Sequence, residues 1–140
     1  MEPWHTAHLV AIAFWGGFVA AEVVVELASR TDDELRHAAV LHYWMDLLVE
    51  LPALVAVLVT GAVLTKSTWP PSPLLWIKIA AGLTAVTVNL WCVLHVVGRY
   101  RKLDDVASLH RHGRWVRVAA TVGVPFGAVA LYLGLSHFAR

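Results

Sequence analysis

The chain has 140 residues, 59% of them hydrophobic and 15% charged, with a formal net charge of +1 and a mean hydropathy of +0.65. Soluble domains are about 45–50% apolar and about 25% charged, so this composition excludes an ordinary water-soluble fold. The near-neutral balance gives no reason to expect a nucleic-acid partner. The single cysteine, Cys92, excludes an intrachain disulfide framework and a site built from several thiolates.

Apolar stretches at residues 6–28, 39–64, 74–97 and 116–136 account for most of the chain, which reads as one domain covering 1–140. Each reaches the roughly 20 helical residues that cross about 30 Å of hydrocarbon. Helix is the form expected there, because a bilayer offers the backbone no outside hydrogen-bond partner. The predicted fold class is all-α, an integral membrane four-helix bundle of antiparallel up-down topology.

The first stretch follows Pro3 and ends near Ser29. No basic leader precedes it, so it reads as a retained span rather than a cleaved signal peptide. The run Thr31-Asp32-Asp33-Glu34 has the pattern of a helix cap and opens the second stretch, which contains Pro52 and is expected to kink there. Trp69-Pro70-Pro71-Ser72-Pro73 forms a stiff turn before the third stretch. Residues 98–115 are polar and are expected to include an interfacial helix with Leu103, Val106 and Leu109 on one side. The fourth stretch carries Gly123, Pro125 and Gly127 and should be bent or closely packed.

Arg99, Arg101, Lys102, Arg111, Arg114 and Arg117 crowd the third connection, and Arg30 and Arg36 the first. Lys66 and Arg140 mark the opposite side. The excess of basic residues places connections one and three in the cytoplasm and both termini outside, in a bacterial inner membrane. Trp4, Trp69 and Trp76 suit an outer aromatic belt, and Tyr100 with Trp115 an inner one.

Ionisable groups inside these spans carry the functional signal. Glu22 and Glu26 lie one turn apart on the first span; His42, Asp46 and Glu50 recur every four residues on the second; Asn89 and His95 sit on the third. An ionised group in mid-membrane costs on the order of 2.5–3.5 kcal/mol on insertion scales, so such residues mark sites by default. Counting depth at about 1.5 Å per residue puts Glu26 level with His42, Glu22 with Asp46, and His95 close to the His42 level. The expected constellation is Glu22, Glu26, His42, Asp46 and His95 near the cytoplasmic side, with Glu50 and Asn89 above it.

Carboxylates and imidazoles without thiolate suit Zn, Fe, Mn or Cu, as one ion or two, and facing helices of a bundle are a usual place for them. The chemistry expected is metal handling or oxidation of a small lipophilic substrate. The bilayer, such a substrate or a metal ion, and a second copy of the chain are the candidate partners. Two other readings stay open. The acids could be protonated and bonded between helices, or paired with Arg36 and Arg99 reaching inward. Alternatively His42 with His95, and His8 with His137, could ligate haem b.

The opening helix reads His8-Leu9-Val10-Ala11-Ile12-Ala13-Phe14-Trp15-Gly16-Gly17, and the third begins Trp76-Ile77-Lys78 and ends Gly98-Arg99. This layout, with Pro52 and Thr60-Gly61 in the second span, resembles the bacterial membrane-embedded protoporphyrinogen oxidases and the copper-resistance D-type membrane proteins. The resemblance implies a four- or five-helix membrane bundle in which His8 is a haem ligand and Lys78 is functionally important. Where those oxidases carry an arginine after the Trp-x-Gly motif, this chain has Glu22 and Glu26. Glutamate repels porphyrin carboxylates, so a relative specialised for metal binding is the expectation.

Overall fold

The computed structural model describes residues 3–138, all helical apart from short connections. Helix α1 spans Pro3–Ala28. Helix α2 spans Asp32–Met45 and passes through a π-helical turn, Asp46–Glu50, into α3, Leu51–Ser67. Helix α4 covers Pro73–Tyr100, and α5 covers Val106–Leu133 with a final π turn at Gly134–Phe138. Arg140, assigned to the outer side from sequence, lies outside the described residues.

Local chemistry sets the helix starts. Thr31 accepts from the Glu34 backbone N–H while the Glu34 carboxylate accepts from Thr31 N–H at 2.9 Å, a reciprocal cap. Asp32, Asp33 and Glu34 place negative charge on the first turn, where the helix dipole favours it. Ser72 caps α4 ahead of Pro73, whose missing N–H is no loss at that position. Asp105 caps α5 by accepting from Ser108 N–H.

Four helical runs, Pro3–Ala28, Asp32–Ser67, Pro73–Tyr100 and Val106–His137, are long and apolar enough to cross a membrane. They begin earlier or end later than the apolar stretches suggest, because capped polar residues prolong each helix past the hydrocarbon-like core. The connection at residues 98–115 holds no separate interfacial helix. Only a turn separates Tyr100 from Val106, and α5 runs on unbroken through Pro125. Near Pro52 the departure from regular helix falls just upstream, where Leu51 N–H bonds to Asp46 O five residues back. A proline cannot donate the bond its position would require, and the wider π turn accommodates that locally.

Helix α4 packs most extensively on α5, and α1 on α3. Small residues permit the first contact: a Cβ on Gly123 would meet Val88 Cγ1 at 3.3 Å, and one on Gly127 would meet the Ala85 methyl. Leu54, Val96, Leu109 and Val116 are buried in the centre, whereas Val24, Leu27, Leu48, Leu94 and Tyr132 are mostly exposed. So much apolar surface facing outward is a liability in water and ordinary in lipid. At the end of the bundle carrying Tyr100, that ring stacks on Tyr43 with centroids 3.9 Å apart, and Arg36 Nε donates to Leu103 O at 3.2 Å.

Candidate metal centre

Four carboxylates and one imidazole meet inside the bundle. Glu22 and Glu26 come from α1, His42 from α2, and Asp46 and Glu50 from the π turn; all are between 1% and 5% exposed. Glu22 and Glu26 share a face because they are one turn apart. His42 and Asp46 are likewise one turn apart, and the wider π turn keeps Glu50 close to both Asp46 and Glu22.

His42 is the hub. Its Nε2 lies 3.3 Å from Glu22 Oε2 and 3.7 Å from Asp46 Oδ1, and its Nδ1 lies 3.4 Å from Glu26 Oε1. One ligand atom each from Glu22, His42 and Asp46 fall within 4.8 Å of one another. Two ligands at about 2.0–2.1 Å from a tetrahedral ion stand roughly 3.3 Å apart, so this spacing is close to what a bound metal requires. Three protein ligands leave positions open. Glu22 Oε1, Glu26 Oε2 and Asp46 Oδ2 are buried and accept no hydrogen bond among the described residues. Each such atom costs about 1–3 kcal/mol unless a partner is supplied.

Not every expected residue joins this group. Glu26 is held by Arg99, which reaches inward from the end of α4, is fully buried and donates through Nη2 to Glu26 Oε1. Glu26 therefore sits beside the centre as an ion pair, with His42 Nδ1 on its other side. Arg36, the other arginine expected to reach inward, instead pairs with Asp33 at 2.7 Å on the surface. Glu50 accepts from Trp15 Nε1 at 3.0 Å and from the Asn89 amide. Asn89 thus positions a carboxylate.

His95 does not converge on the group. Its Nδ1 lies 3.1 Å from His112 Nδ1 on α5, with its ring against Trp91 and Trp115. Depth counting carries no information on direction around the helix, and α4 turns that face towards α5. Because His42 faces carboxylates and His95 faces His112, these two rings do not present themselves to one another as an axial pair.

His8 lies elsewhere. Its Nδ1 meets Thr60 Oγ1 at 2.8 Å, and that hydroxyl donates to Ala56 O at 2.6 Å. Gly61 makes this possible, since a Cβ there would come within 3.2 Å of His8 Cε1. His8 and Lys78 line one cavity of about 890 Å³, together with His5, Lys66 and His137. A second cavity, of about 840 Å³, lies against Glu22, Glu26, His42 and Glu50.

Trp15 and Arg117 are the functional neighbours that sequence reasoning passed over. Trp15 lies seven residues before Glu22, two turns along the same face, which was a usable signal. Arg117 lines the second cavity, and nothing in its sequence context indicates that. No family model, curated protein or solved structure matches this chain.

Proposed function

We propose that this chain is a multi-pass membrane metalloprotein in which Glu22, His42 and Asp46 ligate a divalent transition-metal ion in the interior of an antiparallel four-helix bundle. The observation that carries the reading is the convergence of these three ligand atoms within 4.8 Å, from buried side chains in which Glu22 Oε1 and Asp46 Oδ2 accept no hydrogen bond among the described residues. Charge balance supports it. Among the described residues, four buried carboxylates face one buried arginine, Arg99, and a divalent cation relieves the excess negative charge.

Glu26, Glu50 and Asn89 fix the ligands around the ion, and Glu50 is near enough to serve a second one. Zn, Fe, Mn and Cu all suit this donor set. An ion with open positions would supply Lewis-acid or redox chemistry at the cavity beside it. The up-and-down course is supported by contacts along α4 and α5, where Gly82 faces Ala130, Ala85 faces Gly127 and Gly98 faces His112. By the distribution of basic residues, the centre lies in the cytoplasmic half of a bacterial inner membrane, with both termini outside.

The test is elemental analysis of protein purified in detergent, with the same measurement on Glu22→Gln and His42→Ala. About one equivalent of a single transition metal in the parent, and loss in both variants, is the expected result. Full retention in both variants, or no metal in correctly folded parent protein, would sink the assignment. A haem reading has one observation in its favour, the common cavity of His8 and Lys78. It requires a Soret band in the same sample that disappears in His8→Ala and persists in Glu22→Gln.

A further inference from the structure

The cavity beside the carboxylates is lined by α1, α4 and α5. Its α5 wall runs from Val116 and Arg117 to Leu131, about 21 Å at about 1.5 Å per residue. Small residues contribute to both walls, among them Ala13, Gly16 and Ala20 on α1 and Ala119 and Ala120 on α5. Nothing lies within 4 Å of the position a Cβ on Gly16 would take. The space has room at Gly16 and is lined mostly by apolar side chains.

Its polar groups are unevenly placed. Glu22, Glu26, His42 and Glu50 lie on one flank and engage one another, Arg99, Trp15 and Asn89, although Glu22 Oε1 and Glu26 Oε2 accept no hydrogen bond among the described residues. Arg117 is different. Its side chain is exposed, and it enters no ion pair among the described residues. Arg114, also exposed, stands one turn earlier on the same helix, towards the basic connection. An unpaired guanidinium at the basic end of an apolar slot asks for an anionic oxygen head, which it can grip with two parallel hydrogen bonds.

We infer that this cavity binds a single-chain amphiphile with an anionic head, its head on Arg117 and its tail between α1 and α5, entering sideways from the lipid. The tail then passes the carboxylate group. The amphiphile would be the metal centre's substrate or its lipid cofactor, and only that last step rests on the metal reading.

The experiment measures displacement of a spin-labelled stearate from delipidated protein in a neutral detergent, with metal content read on the same samples. Palmitate and hexadecyl phosphate should both displace the label, and their order tells whether carboxylate or phosphate is preferred. Hexadecanol should be weaker by roughly tenfold, the value of one lost charged hydrogen-bond pair. Arg117→Gln should remove the advantage of the anions over hexadecanol. Gly16→Leu should fill the slot, abolish displacement by all three and leave metal bound.

Equal displacement by hexadecyltrimethylammonium and palmitate would overturn the inference, as would undiminished binding in Gly16→Leu. So would a parent dimer that Gly16→Leu converts to monomer, because a second copy would then occupy the gap. Palmitate binding without metal would leave this assignment standing and remove the metal reading; metal without palmitate binding would do the reverse.

Discussion

At the residue scale, the centre is a balance among groups that none of them could maintain alone. Arg99 is fully buried and would be costly to place there without Glu26. Removing one member of such a pair typically costs about 3–5 kcal/mol, because the other charge stays buried and unpaired. Arg99→Met should therefore lower thermal stability in detergent by about that amount. Arg99→Met combined with Glu26→Leu should recover most of the loss, and a double variant no better than the single one would show that the pair is not the cause. Asp46→Asn keeps the shape of the side chain but weakens it as a ligand. Metal affinity should fall by about tenfold or more in a competition titration, with little change in unfolding temperature.

At the element scale, the interface of α4 with α5 depends on glycine in a way composition does not reveal. A Cβ at Gly98 would come within 2.8 Å of His112 Cε1, so the His112 ring could not remain against α4. Gly98→Val should separate His95 from His112 and destabilise the fold by about 1–3 kcal/mol, the usual cost of overpacking. Gly17→Ala provides the contrast. Nothing lies within 4 Å of its added methyl, and alanine is the better helix former. That variant should unfold at the same or a slightly higher temperature, measured by circular dichroism. The π turn at Asp46–Glu50 belongs to this scale as well, because it carries two of the buried carboxylates, Asp46 and Glu50.

At the scale of the whole molecule, the chain combines an apolar exterior with a cluster of ionisable groups inside, and its basic connections give the expectation for which way it faces. The turn after α3, containing Trp69, should lie outside the cell, and the turn at residues 101–105 inside. A Cys92→Ser background carrying Thr68→Cys or Asp104→Cys permits a direct check with a membrane-impermeant maleimide on intact spheroplasts. Thr68→Cys should label and Asp104→Cys should label only after lysis. The opposite pattern would place the metal centre in the outer half of the membrane.

Four long apolar runs, the capped start of the second and the acids within them were readable in the sequence. Length and hydropathy are local properties, and so are the Thr31-to-Glu34 pattern and the four-residue recurrence from His42 to Asp46. Levels along the helices were also accessible, which is why Glu22 was matched with Asp46 and Glu26 with His42. Direction around each helix was not, because it depends on which neighbour a face packs against. That choice turned His95 towards His112, drew Arg99 inward to Glu26, and set Asn89 and Trp15 on Glu50. It also left the cavity lined by α1, α4 and α5, to which residues from distant segments contribute. Sequence by itself determined which residues enter the membrane-like interior; tertiary packing alone decided which of them meet, since rotation and separation of helices are settled by the sum of many side-chain contacts.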